Sequence, residues 1–154
     1  MTEMNVGTLC RREVVTVDAA EGLTQAAHLM RKRHVGFLVV VETSVSSPNM
    51  RVIGVLTDRD IVTAVIAKDA DARTLRVGDV MTRDPLLAAE TGSLDATLRH
   101  MHEFGVRRVP VVGRDNELVG VLSLDDVLEK MAEVLVDVAG AIRSEQQTER
   151  TARP

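Results

Sequence analysis

Two stretches of this chain repeat one another residue by residue, and this duplication constrains the fold more than any bulk property does. Val6-Gly7-Thr8-Leu9 aligns with Val77-Gly78-Asp79-Val80 at an offset of 71, and the same offset carries Leu23, Ala27, Met30 and Val35 onto Leu94, Leu98, Met101 and Val106. Further on the offset falls to 66, so that Gly54-Val55-Leu56-Thr57 lands on Gly120-Val121-Leu122-Ser123 and Asp60-Ile61 on Asp126-Val127. The extra residues of the first copy fall in Glu42 to Arg51, a serine-rich stretch with Pro48 that reads as an enlarged hairpin loop. The second copy turns tightly through Gly113 to Glu117.

Each copy changes periodicity in the same order. A short strand (Val14 to Val17; Leu86 to Ala88) precedes a helix whose apolar positions step by three and four, Leu23, Ala26, Ala27, Met30 and Leu94, Leu98, Met101. Two nearly continuous apolar runs follow, Phe37 to Val41 with Val52 to Leu56, then Val109 to Val112 with Leu118 to Leu122. Such runs are expected of strands covered on both faces. Pro110 cannot donate to a ladder, which favours an edge or strand-start position. A second helix closes each copy, from Arg59 to about Lys68 and from Leu124 onward. The predicted class is α/β (α+β), with a β-α-β-β-α unit repeated in one body, because the Lys68 to Arg76 connection is short and charged.

Composition narrows the function. With two Phe and no Trp or Tyr among 154 residues, stacking platforms for single-stranded nucleic acid are scarce. A formal net charge of -4 gives no long-range attraction for phosphate backbones, so no nucleic-acid partner is expected. The lone Cys10 excludes an intrachain disulfide and a cysteine-rich metal cage. No apolar run reaches the length of a signal peptide or a membrane span, and a cytoplasmic protein without membrane contact is the expectation.

The chemistry concentrates where a buried strand meets a helix, at Thr57-Asp58-Arg59-Asp60 and Ser123-Leu124-Asp125-Asp126. Ser or Thr followed three residues later by an acid is close to a capping box, and an acid in the first turn suits the helix dipole. The same turn also presents backbone N–H groups that suit a phosphate or a sugar edge. Gly54 and Gly120 lie in strand interiors, where glycine signals close approach of a ligand or of another backbone. A carboxylate at Asp60 or Asp126 can accept two hydrogen bonds from vicinal hydroxyls, each contributing about 1.5 to 3 kcal/mol.

At these residues the chain resembles the CBS motif family, whose tandem pairs form the regulatory unit called a Bateman module. Both copies match its pattern of glycine, two apolar residues, Ser or Thr, two variable residues, Asp and an apolar residue, and Gly54 to Ile61 is the closer match to the commonest form. The resemblance covers residues 6 to about 135. It implies a pseudo-twofold pair of β-α-β-β-α repeats, with residues 6–68 and 77–135 as the two motifs of one domain over 1–143. It also implies two clefts for adenosine-type ligands, AMP, ADP, ATP or S-adenosylmethionine, with no cofactor required. By the same resemblance Asp60 and Asp126 hold ribose, while Thr57 and Ser123 help hold phosphate or ribose. Adenine would lie against backbone at Thr16-Val17 with Gly36-Phe37-Leu38, and at Leu87-Ala88 with Arg108-Val109-Pro110.

The two turns are unequal. The second carries Leu124 and Asp125 where the first carries Asp58 and Arg59, so it lacks the cation and adds a negative charge. The Asp60 cleft, with Arg59, is therefore expected to prefer ligands with more phosphates unless Arg107 and Arg108 serve the other cleft. Adjacent strand residues face opposite sides, so one of those two arginines is expected to meet phosphate. His28, His34, His100 and His102 lack metal-ligand spacing. Cys10 aligns with Met81, as a core filler would. No nucleophile, base or glycine-rich phosphate loop of an enzyme is recognisable.

The last helix outruns the motif. Leu124, Val127, Leu128, Met131, Leu135, Val138 and Ile142 keep a three-four spacing, with 136–143 as a helical extension and a flexible polar tail over 144–154. Such an overhang folds back on its own domain or pairs with a second copy, and a homodimer is the expectation. The leading function is a non-catalytic sensor that signals through dimer geometry or an unidentified protein effector. The alternative is a ligand-free dimeric scaffold whose Thr/Ser-x-x-Asp turns are helix caps.

Overall fold

The computed structural model describes residues 4–152; residues 1–3 and the last two positions of the expected tail lie outside the described residues. The first repeat comprises α1 (Val6–Leu9), β1 (Thr16–Asp18), α2 (Leu23–Arg33), β2 (Phe37–Ser44), β3 (Ser47–Thr57) and α3 (Asp58–Ala64). The second comprises α4 (Val77–Val80), β4 (Thr82–Arg83), β5 (Ala88–Ala89), α5 (Leu94–Phe104), β6 (Arg108–Val112), β7 (Leu118–Ser123) and α6 (Leu124–Ala152).

The strands form two sheets, ordered β1-β2-β3-β4 and β5-β6-β7, each with a parallel first pair and an antiparallel hairpin. Both faces of the strands are covered, as the continuous apolar runs require. Leu38, Val40 and Leu56 point into one core with Leu23, Ala26 and Met30 of α2. Val109, Val111 and Leu122 point into a second core with Met101 of α5. Val39, Val41 and Val52 turn the other way and meet Val112, Phe37, Leu87, Leu118 and Val121 in a layer between the repeats. This third cluster joins the copies into one body.

The repeats also exchange their first segments. β4, from the second repeat, pairs with β3 of the first, with Gly54 opposite Arg83 and Val55 opposite Thr82. Reciprocally, Arg11 bridges to Val121 of β7, with Arg11 N–H to Val121 O and Val121 N–H to Arg11 O both at 2.9 Å. The apolar residues follow their segments. Val6 and Cys10 enter the core of the second repeat, while Val77 and Met81 enter that of the first. Cys10 and Met81 thus fill equivalent slots in opposite halves, and burial pushes the Cys10 thiol pKa up.

This exchange explains the two strand glycines. A Cβ at Gly54 would sit 2.8 Å from both Met81 Sδ and Thr82 O, and one at Gly120 would sit 2.5 Å from Arg11 O. Of the two expected reasons for glycine there, the second is the observed one: another backbone passes close by. A bulge precedes each glycine, at Ile53 and at Val119, where the partner register steps from Val40 to Val41 and from Val111 to Val112.

Several expectations require correction. Glu42 to Arg51 is not a loose loop, because β2 and β3 continue through it to a turn between Ser44 and Ser47. Cross-strand Glu42 and Arg51 form an ion pair at 3.7 Å, and Pro48 falls where the register is already broken between Thr43 and Ser44. Pro110 lies in the middle strand of its sheet, not at an edge. In the first repeat the equivalent Val39 N–H donates to Val15 O at 3.2 Å. Pro110 has no such donor, and β5 begins one residue beyond it, at the Ala88 to Val111 pairing. α3 stops at Ala64 and a single 3₁₀ turn, Ile66–Lys68, completes the stretch expected as one helix.

α6 does not fray at Ser144. It remains helical to Ala152, since Glu145, Gln146, Gln147, Glu149 and Arg150 are good helix formers and no Gly or Pro interrupts them. The side chains of Thr148 and Thr151 donate back to Ser144 O and Gln147 O at 2.9 Å.

Candidate functional site

The two strand-to-helix turns have the expected shape and different chemistry. At the first, Thr57 Oγ1 accepts from Asp60 N–H at 3.1 Å, and Asp60 Oδ2 accepts from Thr57 N–H at 2.9 Å. This is a complete capping box, and it occupies one carboxylate oxygen of Asp60. Arg59 is exposed beside it, its backbone N–H donating to Asp58 Oδ1 at 2.8 Å.

At the second turn, Asp126 N–H donates to Ser123 Oγ at 3.1 Å, and the Ser123 hydroxyl donates to Asp126 Oδ2 at 2.7 Å. The other oxygen, Oδ1, accepts from Arg11 Nε at 2.6 Å. The Asp126 side chain is 10% exposed, so this guanidinium faces a largely desolvated carboxylate. The hydrogen bond to Asp126, and then its charge, raise the Arg11 pKa. The expectation that the second turn lacks a cation is therefore corrected: the exchanged segment of the first repeat delivers one. Asp125, the added negative charge, is paired with Arg107 at 3.3 Å.

Around the second turn lies a cleft of about 380 Å³ with walls from both repeats. The first repeat contributes Arg11, Glu13, Val14, Val15, His34, Val35, Gly36 and Phe37, and the second contributes Arg108, Val121, Ser123, Asp125 and Asp126. The volume lies within the roughly 300–1,000 Å³ typical of small-molecule pockets. Val14, Val15, Val35 and Phe37 offer an apolar wall, and Ser123, Asp126, Arg11 and Arg108 a polar end. His34 reaches the cleft because it caps α2 in the left-handed conformation, at φ 55°, where Gly105 does the same for α5.

Of the expected site residues, Gly36, Phe37, Arg108, Ser123 and Asp126 line this cleft together. Thr57, Arg59 and Asp60 do not; they belong to the opposite turn. Arg107 is held by Asp125 outside it. Val17, Leu38, Ala88, Val109 and Pro110 are buried with side chains in the cores, and so offer only backbone to a ligand. Thr16 points its hydroxyl toward Met50 Sδ at 4.0 Å, and Leu87 packs in the layer between the repeats. Sequence reasoning missed Arg11, His34 and Glu13. The repeat alignment marks the Arg11 segment as part of the motif without revealing that it crosses to the other half.

Among the described residues no group of three or more His, Cys, Asp or Glu is placed to hold a metal ion. Among the described residues no helix is long and apolar enough to cross a membrane.

The sequence model of the CBS domain matches residues 6–67 and 77–133. An uncharacterized protein of Methanopyrus kandleri is 27% identical over 129 residues, which are 84% of this chain and 63% of that protein. The chain thus spans less than two thirds of that relative. Hypoxic response protein 1 of Mycobacterium tuberculosis is 34% identical over 131 residues, covering 84% of this chain and 82% of that one. A solved structure of Hypoxic Response Protein I, which has two coordinated zinc ions, superposes with a TM-score of 0.70 at 30% identity, covering 82% and 98% of the two chains. A CBS domain pair solved in complex with 5′-methylthioadenosine and S-adenosyl-L-methionine superposes with a TM-score of 0.71 at 21% identity, covering 84% and 97%.

Proposed function

The chain belongs to the CBS domain family, and from that premise we propose that it is a non-catalytic regulatory module binding an adenosine-type ligand in the cleft at Asp126. The observation that carries this reading is the convergence of a largely buried carboxylate, Ser123, Arg11 and an apolar wall from the other repeat in one cleft. The ribose hydroxyls bond Asp126, the base lies along Val14, Val15 and Phe37, and Arg11 turns from Asp126 to the ligand's anionic group. A CBS pair of the same fold holds S-adenosylmethionine and methylthioadenosine, which supports this ligand class.

Charge selects within that class. Arg11 and Arg108 face Glu13 and Asp126, with Asp125 already neutralised by Arg107, so the polar end carries no net positive excess. AMP or S-adenosylmethionine suits it better than a triphosphate does. At the other turn Asp60 lies outside the cleft and closes a complete capping box with Thr57, so Asp60 acts in stability and Asp126 in binding. The bound state signals through the geometry of a homodimer or through a protein effector.

Thermal unfolding of the ligand-free protein with AMP, ATP or S-adenosylmethionine tests the reading. A ligand at one hundred times its Kd stabilises the native state by about 2.7 kcal/mol, and a rise in Tm with AMP or S-adenosylmethionine is expected. No rise with any of the three contradicts the proposal.

A further inference from the structure

The cleft at Asp126 holds more charge than its own pairings use. Arg11 is bonded to Asp126 and Arg107 to Asp125, so those four groups answer one another. Glu13 and Arg108 also line the cleft, one from each repeat. Among the described residues neither side chain makes a hydrogen bond or an ion pair. They share a cleft without meeting.

The backbone fixes where both start. Arg108 opens β6 directly opposite Ser123, at the edge of the Ser123–Asp126 turn. Glu13 stands two residues beyond Arg11, whose backbone is pinned to Val121 by two hydrogen bonds of 2.9 Å, and it adjoins the apolar wall that begins at Val14. A carboxylate and a guanidinium held apart in this way match a ligand that carries both signs itself. A phosphate satisfies Arg108 and leaves Glu13 facing a like charge. An α-amino acid tail satisfies both, its carboxylate on the Arg108 guanidinium and its ammonium on Glu13.

We infer that Glu13 and Arg108 form a two-signed clamp through which this cleft selects an adenosine with a zwitterionic amino-acid tail over one with a phosphate, and that Glu13 decides the choice. The inference rests on the site proposed above and narrows its ligand. S-adenosylmethionine is the probe with this chemistry, and its sulfonium adds a second positive charge for Glu13. Both side chains are exposed, so each contact is partly screened by solvent and its effect is modest.

Calorimetric titration of the ligand-free full-length chain with S-adenosylmethionine, AMP and adenosine tests the choice. Wild type is expected to bind S-adenosylmethionine more tightly than AMP. Glu13→Gln should weaken S-adenosylmethionine roughly threefold to tenfold, tighten AMP, and leave adenosine, which has no charged tail, where it was. Arg108→Gln should weaken S-adenosylmethionine and AMP together and spare adenosine. Glu13→Lys should invert the preference between the two charged ligands. A merely structural role of Glu13 would move all three affinities in the same direction. That result, or an S-adenosylmethionine affinity unchanged by Glu13→Gln, or a wild-type preference for AMP, overturns the inference and leaves the site standing. No binding of any of the three overturns the site and the inference with it.

Discussion

Arg11 Nε lies 2.6 Å from Asp126 Oδ1, an ion pair between residues 115 positions apart. It exists because the repeats exchange their first segments, so the cation of one cleft comes from the opposite half of the chain. Arg11 is 67% exposed, so solvent screens much of what the pair adds to stability. In the proposed function its role is ligand choice.

Arg11→Met should lower Tm, since it leaves the largely desolvated Asp126 carboxylate without its cation. It frees Asp126 Oδ1 for ribose while removing a phosphate partner. Adenosine should bind at least as well as to the wild type, whereas AMP should lose roughly tenfold, the equivalent of about 1.4 kcal/mol. Paired titrations with adenosine and AMP measure the divergence, and equal losses for both would contradict this role.

The aspartates should separate by assay. Asp126→Asn should weaken AMP or S-adenosylmethionine tenfold to a hundredfold, the loss of a charge-assisted contact of about 1.5 to 3 kcal/mol. Asp60→Asn leaves the cleft walls untouched and weakens the cap, so it should cost about 1 kcal/mol of stability with little change in affinity. Urea unfolding read beside calorimetry distinguishes them.

Gly120→Ala should destabilise more than Gly54→Ala. The new methyl at residue 120 meets the backbone oxygen of Arg11 at 2.5 Å, whereas at residue 54 part of the clash falls on the flexible Met81 side chain. Overpacking of this sort costs about 1 to 3 kcal/mol, and the first variant should lie at the upper end by chemical denaturation.

Cys10 should resist maleimide at neutral pH in the native state. Burial raises its pKa, so little thiolate is present, and its sulfur lies in the core of the second repeat. The sign for stability follows: as pH rises through the ordinary thiol range the unfolded chain releases this proton first, so the native state loses stability toward alkaline pH. Labelling that is fast in buffer and no faster in denaturant would mean that the exchanged segment opens readily.

The repeat, the order of elements and both turns were legible in the sequence because each leaves a local trace: a period, an apolar run, a Thr or Ser three residues before Asp. The exchange of α1 and α4 was not, because Val6 and Val77 look equally apolar whichever core receives them. Arg11 was missed for the same reason, and the second turn was underestimated with it. Pro110 misled because proline excludes a donor only on the side where a neighbour strand is present, and β5 begins one residue past it. The tail beyond Ser144 was underestimated because apolar periodicity ends there while helix propensity does not.

The proposed function requires that an adenosine-type ligand binds at Asp126 between the repeats. Calorimetric titration of ligand-free full-length protein with AMP and S-adenosylmethionine, in the wild type, Asp126→Asn and Asp60→Asn, tests it most directly. Saturable binding by wild type and Asp60→Asn is expected, weakened at least tenfold in Asp126→Asn. Absence of binding by the wild type, or a loss confined to Asp60→Asn, would contradict it.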